Sequence, residues 1–273
     1  MAEHDAPRFA NLPSDKVSLI KDLLRHKHAR NAEQAFVLEG TKPIRELLRV
    51  KAPSVLAVVV TPAYLDHSAP ALRKVLEQQG TSVFVCRESM FEKLSDLTTS
   101  QGILAVIKKP AWDQEEIFKR PQVLGLYGEG LQDPTNVGAI IRTAVAFGVD
   151  GLWLSSESAD VFNPKVIRAS AGAVMSLPVF TMENAAAFRK QGCALLAADP
   201  SGKHSHPLHE IDTIPARSII ALGNESRGLS EATLKQAALR FHIPISRTME
   251  SLNVAASAAI AVFHFSALPR EGK

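Results

Sequence analysis

The sequence predicts a two-domain α/β protein, a smaller helix-flanked α/β domain followed by a mostly parallel sheet with helices on both faces. Three observations predict it. Strand-like and helix-like segments alternate along nearly the whole chain, the pattern of a sheet flanked by helices. The strand-like segments are short continuous apolar runs, as expected of strands buried on both faces. One stretch, "KKPAWDQEEIFKRP" (108–121), interrupts the alternation with two prolines, mixed charge and no apolar period. It reads as a connection between domains.

The first domain is expected over 14–108. It opens with a helix, "DKVSLIKDLLRHK", followed by the strand "AFVLEG", the helix "KPIRELL" and the strand "SVLAVVV". A helix, "APALRKVLEQQ", a strand, "SVFVC", a helix, "MFEKLSDL", and a strand, "GILAVIK", complete it. With 109–120 as linker, the second domain is expected over 121–270. Its strands are "VLGLYGEG", "GLWLS", "LPVF", "CALLAAD", "SIIALGNE" and "FHIPI". Its helices are "NVGAIIRTAVAFG", "NPKVIRASAG", "ENAAAFRKQ", "SEATLKQAA" and a long final "SLNVAASAAIAVFHF".

Composition narrows the function classes. The chain has 273 residues, 46% of them hydrophobic. No apolar run approaches the ~18 to 20 residues that cross a bilayer, and Met1 to Leu12 is too polar for a secretory signal, so a cytoplasmic protein without a membrane partner is expected. Cys86 and Cys193 each sit in a strand-like run with no CxxC. That pattern suits buried free thiols in a reducing compartment rather than a disulfide, a metal site or a nucleophile. No metal is expected. The positive charge is unevenly spread: residues 14–110 carry 15 Lys and Arg against 10 Asp and Glu, and residues 121–273 carry 13 of each. The first half is therefore the better candidate for contact with a polyanion.

Three loops of the second half hold residue types suited to chemistry. In "NVGAIIRTAVAFG", Asn136 is placed to cap a helix ending at Gly148. Gly138 and Ala139 precede Arg142 by four and three residues, so one helix face is cleared of bulk beside a guanidinium. Arg142 reads either as an arginine reaching the surface between Ala and Ile neighbours or as a charge placed for function. In "ALGNESRGLS" an apolar strand passes Gly223 and Gly228 into a helix that Ser230 can cap, and such loops bind ligands in open α/β sheets. Glu225 is either a solvated turn residue or the partner of Arg142 or Asn136. In "IPISRTMESLNVAASAAIAVF", Ser251 and Asn253 stand at the start of a helix that is apolar nearly all round. Ser251 reads as an N-cap, or with Asn253 as part of a small polar-ligand site.

Taken together, in order and spacing, the three segments resemble the motifs of the SpoU (TrmH-like) RNA 2′-O-ribose methyltransferases of the SPOUT superfamily. The residues concerned are Asn136, Gly138 and Arg142, then Gly223 to Ser230, then Ile243, Pro244 and Glu250 to Ala255. The match spans 121–268, with one departure at Arg247, where relatives commonly have glycine. "RNAEQAFVLEGTKPIRELL" resembles the auxiliary domain of several relatives, which is similar to ribosomal protein L30e.

The resemblance implies S-adenosyl-L-methionine as methyl donor and a C-terminal trefoil knot that holds it. It places Leu222, Gly223, Ile243, Ile245, Ser251, Leu252 and Asn253 around the donor and gives the catalytic roles to Arg142, Asn136 and Glu225. Lys21, Arg25, Lys27 and Arg30, in "KDLLRHKHAR", become candidates for contact with RNA backbone. Ribosomal RNA is the expected substrate, with transfer RNA as the alternative. The small-residue final helix and the resemblance both imply a homodimer, in which the arginine acts near the donor held by the partner subunit. Two rivals stand beside this reading. A non-catalytic RNA-binding protein would not need Arg142, Glu225 and Asn253 together. A dinucleotide oxidoreductase, suggested by "GLYGEGLQDPTNVG", lacks the GxGxxG spacing and the acidic residue after a second strand.

Overall fold

The structure, a computed structural model, describes residues 9–49, 55–66, 82–95, 97, 99–200, 204–246 and 248–271. Two compact units emerge. The first runs to Ala111 and includes Phe162–Pro164, and the second comprises Trp112–Val161 and the chain from Lys165. Among the described residues no helix is long and apolar enough to cross a membrane.

The first unit holds strands β1 (Phe9–Asn11), β2 (Ala35–Glu39), β3 (Val55–Val60), β4 (Val83–Val85) and β5 (Ile103–Lys108), in the order β1-β4-β3-β5-β2. β1, β4 and β3 run parallel, whereas β5 is antiparallel to both β3 and β2. Ile20 and Leu23 of the helix Ser14–Arg25 pack on Val37, Val59, Leu104 and Val106 of the sheet. Here the expected single helix is two. His26 takes an extended backbone (φ −118°, ψ 121°) that ends the first helix and starts a second at Lys27–Ala32. Arg30 ties the two together: it is only 2% exposed, and its Nη1 donates to the carbonyls of Leu23 at 2.6 Å and Leu24 at 3.4 Å. β1 escapes sequence reading because its three residues make no apolar run. The helix expected over "MFEKLSDL" is the single turn Glu88–Phe91, and the one expected over "APALRKVLEQQ" lies outside the described residues.

The second unit is built on a fully parallel sheet of β6 (Val123–Gly128), β7 (Gly151–Leu154), β8 (Val179–Thr181), β9 (Ala194–Ala198), β10 (His206–Pro207), β12 (Arg217–Leu222) and β13 (Leu239–His242). Its order is β10-β13-β9-β12-β6-β7-β8; β11 (Ile214–Pro215) pairs separately with β14 (Arg270–Glu271). The chain steps outward from β6 through β7 to β8, then returns to the other side of β6. The direction of winding therefore reverses at the β6–β12 pair, and such reversals open a crevice at the carboxyl ends of the strands. All three loops singled out in the sequence leave from there.

The segment expected as a linker is partly folded into this unit. Asp113 caps the helix Gln114–Phe118 by accepting from the Glu115 amide at 2.9 Å. Ile117 and Phe118 are buried, and Phe118 stacks on Trp153 with ring centroids 5.2 Å apart. Exposed Glu115 and Glu116 mask that short apolar side in the sequence.

Helix ends explain two further corrections. Asp133, not Asn136, caps the helix Pro134–Ala146, accepting from the Thr135 amide at 2.8 Å, with Pro134 in the first turn where its missing N–H costs nothing. Asn253, not Ser251, caps the final helix Val254–Ala267, accepting from the amides of Ala255 at 2.9 Å and Ala256 at 3.3 Å. Val254, Ala258, Ala261, Val262 and Phe265 form its buried stripe, and it packs along the Pro134–Ala146 helix and β12. Gly138 also serves packing rather than Arg142. A Cβ there would lie 2.5 Å from the Ala169 Cβ and 2.6 Å from the Val166 oxygen, so the glycine admits the neighbouring helix Pro164–Ala169.

Gly138→Ala is therefore expected to destabilise the protein by about 1 to 3 kcal/mol through overpacking, read as a lower urea midpoint; an unchanged midpoint contradicts this packing. Arg30→Ala leaves buried carbonyls unmatched and is expected to cost about 2 to 3 kcal/mol. Arg25→Ala, at an exposed position, is expected to stay within about 0.5 kcal/mol of the parent.

Candidate active site

Three loops meet at the carboxyl ends of β6, β12 and β13, and one buried amide joins them. Asn136, 7% exposed, stands in the first turn of its helix, where the Asp133 cap leaves its side chain free to face neighbouring loops. Its Nδ2 donates to Glu225 Oε1 at 3.0 Å, and its Oδ1 accepts from Asn253 Nδ2 at 2.9 Å. Asn253 turns its own Oδ1 onto the final helix. A single line of hydrogen bonds thus runs from the loop after β12, through the helix after β6, to the start of the final helix. Glu225 also accepts from the amides of Asp133 at 3.4 Å and Gln132 at 3.5 Å. Burial pushes its carboxyl up, but the bonds from Asn136 and from the amides of Glu225 itself, Asp133 and Gln132 outweigh that, so its pKa lies below the ordinary value.

The loop after β12 is further pinned. Asn224 donates to the Gly130 carbonyl at 2.7 Å, and its amide and carbonyl exchange hydrogen bonds with Gly228 at 3.1 and 2.9 Å. This tight closure requires Gly223 to lack a side chain, since a Cβ there would meet the Gly228 carbonyl carbon at 2.1 Å and the Leu229 nitrogen at 2.2 Å. Glu129, at the end of β6, accepts from the Ser230 amide and hydroxyl and from the Thr233 hydroxyl, each at 2.8 Å. Ser230 caps the next helix as expected, accepting from the Thr233 amide at 3.2 Å. Sequence reading gave Asn224 no role beyond its place in the Gly223 to Ser230 motif and did not single out Glu129.

Between these loops lies a cavity of about 660 Å³. Leu222, Gly223, Ile243, Ile245, Ser251, Leu252 and Asn253, the seven residues expected around a donor, all line it, and Glu225 does too. Asp199, Phe241 and His242 also contribute to its wall. Arg247 lies outside the described residues. Arg142 stands apart: it is exposed, and among the described residues it makes no hydrogen bond or ion pair. Arg142 therefore reaches the surface in the single chain, one of its two sequence readings, and of the two partners offered for Glu225 the structure supplies Asn136.

Family models match both parts of the chain: the SpoU rRNA Methylase family over residues 124–263 and an MRM3-like substrate binding domain over 15–105. The chain belongs to the SpoU rRNA methylase family. Among its relatives, the 23S rRNA (guanosine(2553)-2'-O)-methyltransferase RlmP of Bacillus subtilis is 30% identical over 263 residues, covering 93% of this chain and 98% of that one. A candidate RNA methyltransferase of the TrmH family from Porphyromonas gingivalis is 34% identical, with TM-score 0.76, over 94% of this chain and 98% of the other. The SpoU methyltransferase AviRb of Streptomyces viridochromogenes, solved in complex with the cofactor AdoMet, shares the fold at 24% identity and TM-score 0.79, over 92% and 97% of the two chains.

In the substrate-domain part of this SpoU-family chain, the four basic candidates separate. Arg25 and Lys27 are exposed and Lys21 is half-buried, whereas Arg30 is the buried clamp described above and is unavailable to a ligand. His26 and His28, which sequence reading passed over, stack with ring centroids 5.2 Å apart beside Arg25 and Lys27. Both thiols are held in their protonated form: burial, then Glu88, pushes Cys86 up to about 11, and burial raises Cys193 despite nearby Arg217.

Because the folded-state pKa of Glu225 is depressed, its contribution to stability is present above the ordinary value of 4.5 and is lost as pH falls through the lowered folded one. Melting curves from pH 6 down to about pH 3 are expected to converge for the parent and Glu225→Gln at the acid end. Curves that stay parallel contradict the hydrogen-bonded carboxylate.

Proposed function

We propose that this chain is an S-adenosyl-L-methionine-dependent methyltransferase that modifies a ribose 2′-hydroxyl of ribosomal RNA. The observation that carries this reading is the Glu225–Asn136–Asn253 line of hydrogen bonds at the wall of the cavity. The cavity suits the donor chemically. Leu222, Ile243 and Ile245 offer an adenine an apolar slot beside main-chain groups, and the carboxylates of Glu225 and Glu250 favour a cation. Membership of the SpoU family and the AdoMet held by AviRb support the same choice. The names of RlmP and of the matching SpoU family support ribosomal RNA.

Bound there, the donor supplies an electrophilic methyl on a positive sulfur, which becomes neutral as the ribose oxygen takes the methyl and sheds its proton. The protein must orient that oxygen and stabilise the charge developing on it. Arg142 is suited to both, because its planar fork is always protonated and can hold a ribose oxygen or an adjacent phosphate. The same permanent charge makes it a poor base, so the proton passes to a substrate phosphate or water. Asn136 and Glu225 hold the loops in register. Ser251, Leu252 and Asn253 shape the donor side. Lys21, Arg25 and Lys27 give the first unit its phosphate contacts.

Arg142 lacks a partner among the described residues of its own chain, which supports a homodimer in which it serves the partner subunit's cavity. Exposed Phe147, Ile260 and Phe263, with Phe147 and Phe263 in edge-to-face contact at 5.8 Å, supply the apolar surface for it. The family resemblance further implies that the C-terminal segment is knotted and that the enzyme works in the cytoplasm.

The test is methyl transfer from labelled donor to unmodified ribosomal RNA, with transfer RNA in a parallel reaction, followed by mapping of positions that resist alkaline cleavage. The reading expects ribose label on ribosomal RNA. Label on a base, or none, contradicts it. Arg142→Ala is expected to lower the rate of transfer about 10² to 10³-fold with donor affinity intact, and full activity of that variant refutes the assignment of the arginine.

A further inference from the structure

Among the Lys and Arg side chains described, only Arg227 lines the cavity, beside the carboxylates of Glu225 and Glu250 and that of Asp199, which Arg240 holds in an ion pair at 3.5 Å. Arg227 is thus the one described cation of that wall able to meet an anionic group. Arg227 sits in the loop after β12, two residues from Glu225, and its backbone is fixed because its amide donates to Asn224 Oδ1 at 3.1 Å. Its side chain is not spent inside the fold. It is 70% exposed, and its Nη2 meets Glu157 Oε2 at 3.4 Å, on a side chain that is itself 67% exposed.

Glu157 belongs to the turn after β7, and its Oε2 lies 3.7 Å from where a Cβ on Gly130 would stand. The ion pair therefore spans from the Glu225 loop across Gly130, over the entry to the helix that carries Asn136 and Arg142. An exposed pair of this length is weak and screened, so a phosphate, which offers an arginine two oxygens, can displace the carboxylate.

We propose that Arg227 is a substrate-contacting residue that takes an RNA phosphate next to the methylated nucleotide, and that Glu157 holds its guanidinium in place until RNA arrives. The inference rests on the reading of the chain as an RNA ribose methyltransferase. It adds a second arginine, on a different loop from Arg142 and with a different role. Arg142 acts on the reacting oxygen, and Arg227 on the neighbouring backbone.

The experiment uses the full chain, an unmodified 23S ribosomal RNA transcript and S-adenosyl-L-methionine, each titrated separately over a series of salt concentrations. Arg227→Ala is expected to bind the transcript roughly tenfold more weakly, with the slope of log affinity against log salt reduced by about one, and to bind the donor as the parent does. Arg227→Lys, which keeps the charge and loses the fork, should preserve the slope and recover part of the affinity. Glu157→Gln, which frees the arginine, should tighten RNA binding. An unchanged slope in Arg227→Ala overturns the proposal. So does weaker donor binding in that variant, which assigns the arginine to the donor carboxylate instead. If the parent itself neither binds nor methylates the transcript, it is the functional reading that has failed.

Discussion

The site depends on the carboxamide of Asn136. An amide is both donor and acceptor, so one buried side chain gives a hydrogen to Glu225 and takes one from Asn253. Neither an aspartate nor a leucine of similar size can do both. Because the two partners stand on loops from different strands, this residue sets the distance between the walls of the cavity. A buried amide satisfied at both ends rigidifies its surroundings, whereas one left half-satisfied is costly.

The fold supplies the conditions for that contact. Reversal of winding at the β6–β12 pair brings the two central loops side by side, and Asp133 takes over the cap so that Asn136 is free. Packing then sets the approach. Gly223 lets the loop after β12 close on itself, and the buried stripe of the final helix lies along the helix that bears Asn136. Glu129, and the Gly130 carbonyl that accepts from Asn224, clamp the same loop from the β6 side. The result is a cavity whose walls are held in register by hydrogen bonds and packing within the chain, as preorganised catalysis requires.

Much of this architecture was legible in the chain. Continuous apolar runs marked the strands of the parallel sheet, and three ordered motifs pointed to the residues that line the cavity. What could not be read were the choices between equivalent local solutions. Asp133 and Asn136 are both good caps, as are Ser251 and Asn253, and only packing selects one of each pair. Arg142 and Arg30 illustrate the same limit for charges. An arginine among apolar neighbours could be read either way and reaches solvent, and one in a basic stretch looked available yet is sealed against two carbonyls. Periodicity reports which face a residue occupies, not what the tertiary structure lays against it. Short elements such as β1 and the Gln114–Phe118 helix carry too few apolar residues to register at all.

The central claim is that the cavity bounded by the Glu225–Asn136–Asn253 line is the donor site. Amide hydrogen exchange, with and without saturating S-adenosyl-L-methionine, tests it most directly. The account predicts slower exchange concentrated in the segments 198–200, 222–230 and 241–256, which line the cavity, with no response to NAD. No protection by the methyl donor, or protection concentrated elsewhere in the chain, would contradict it.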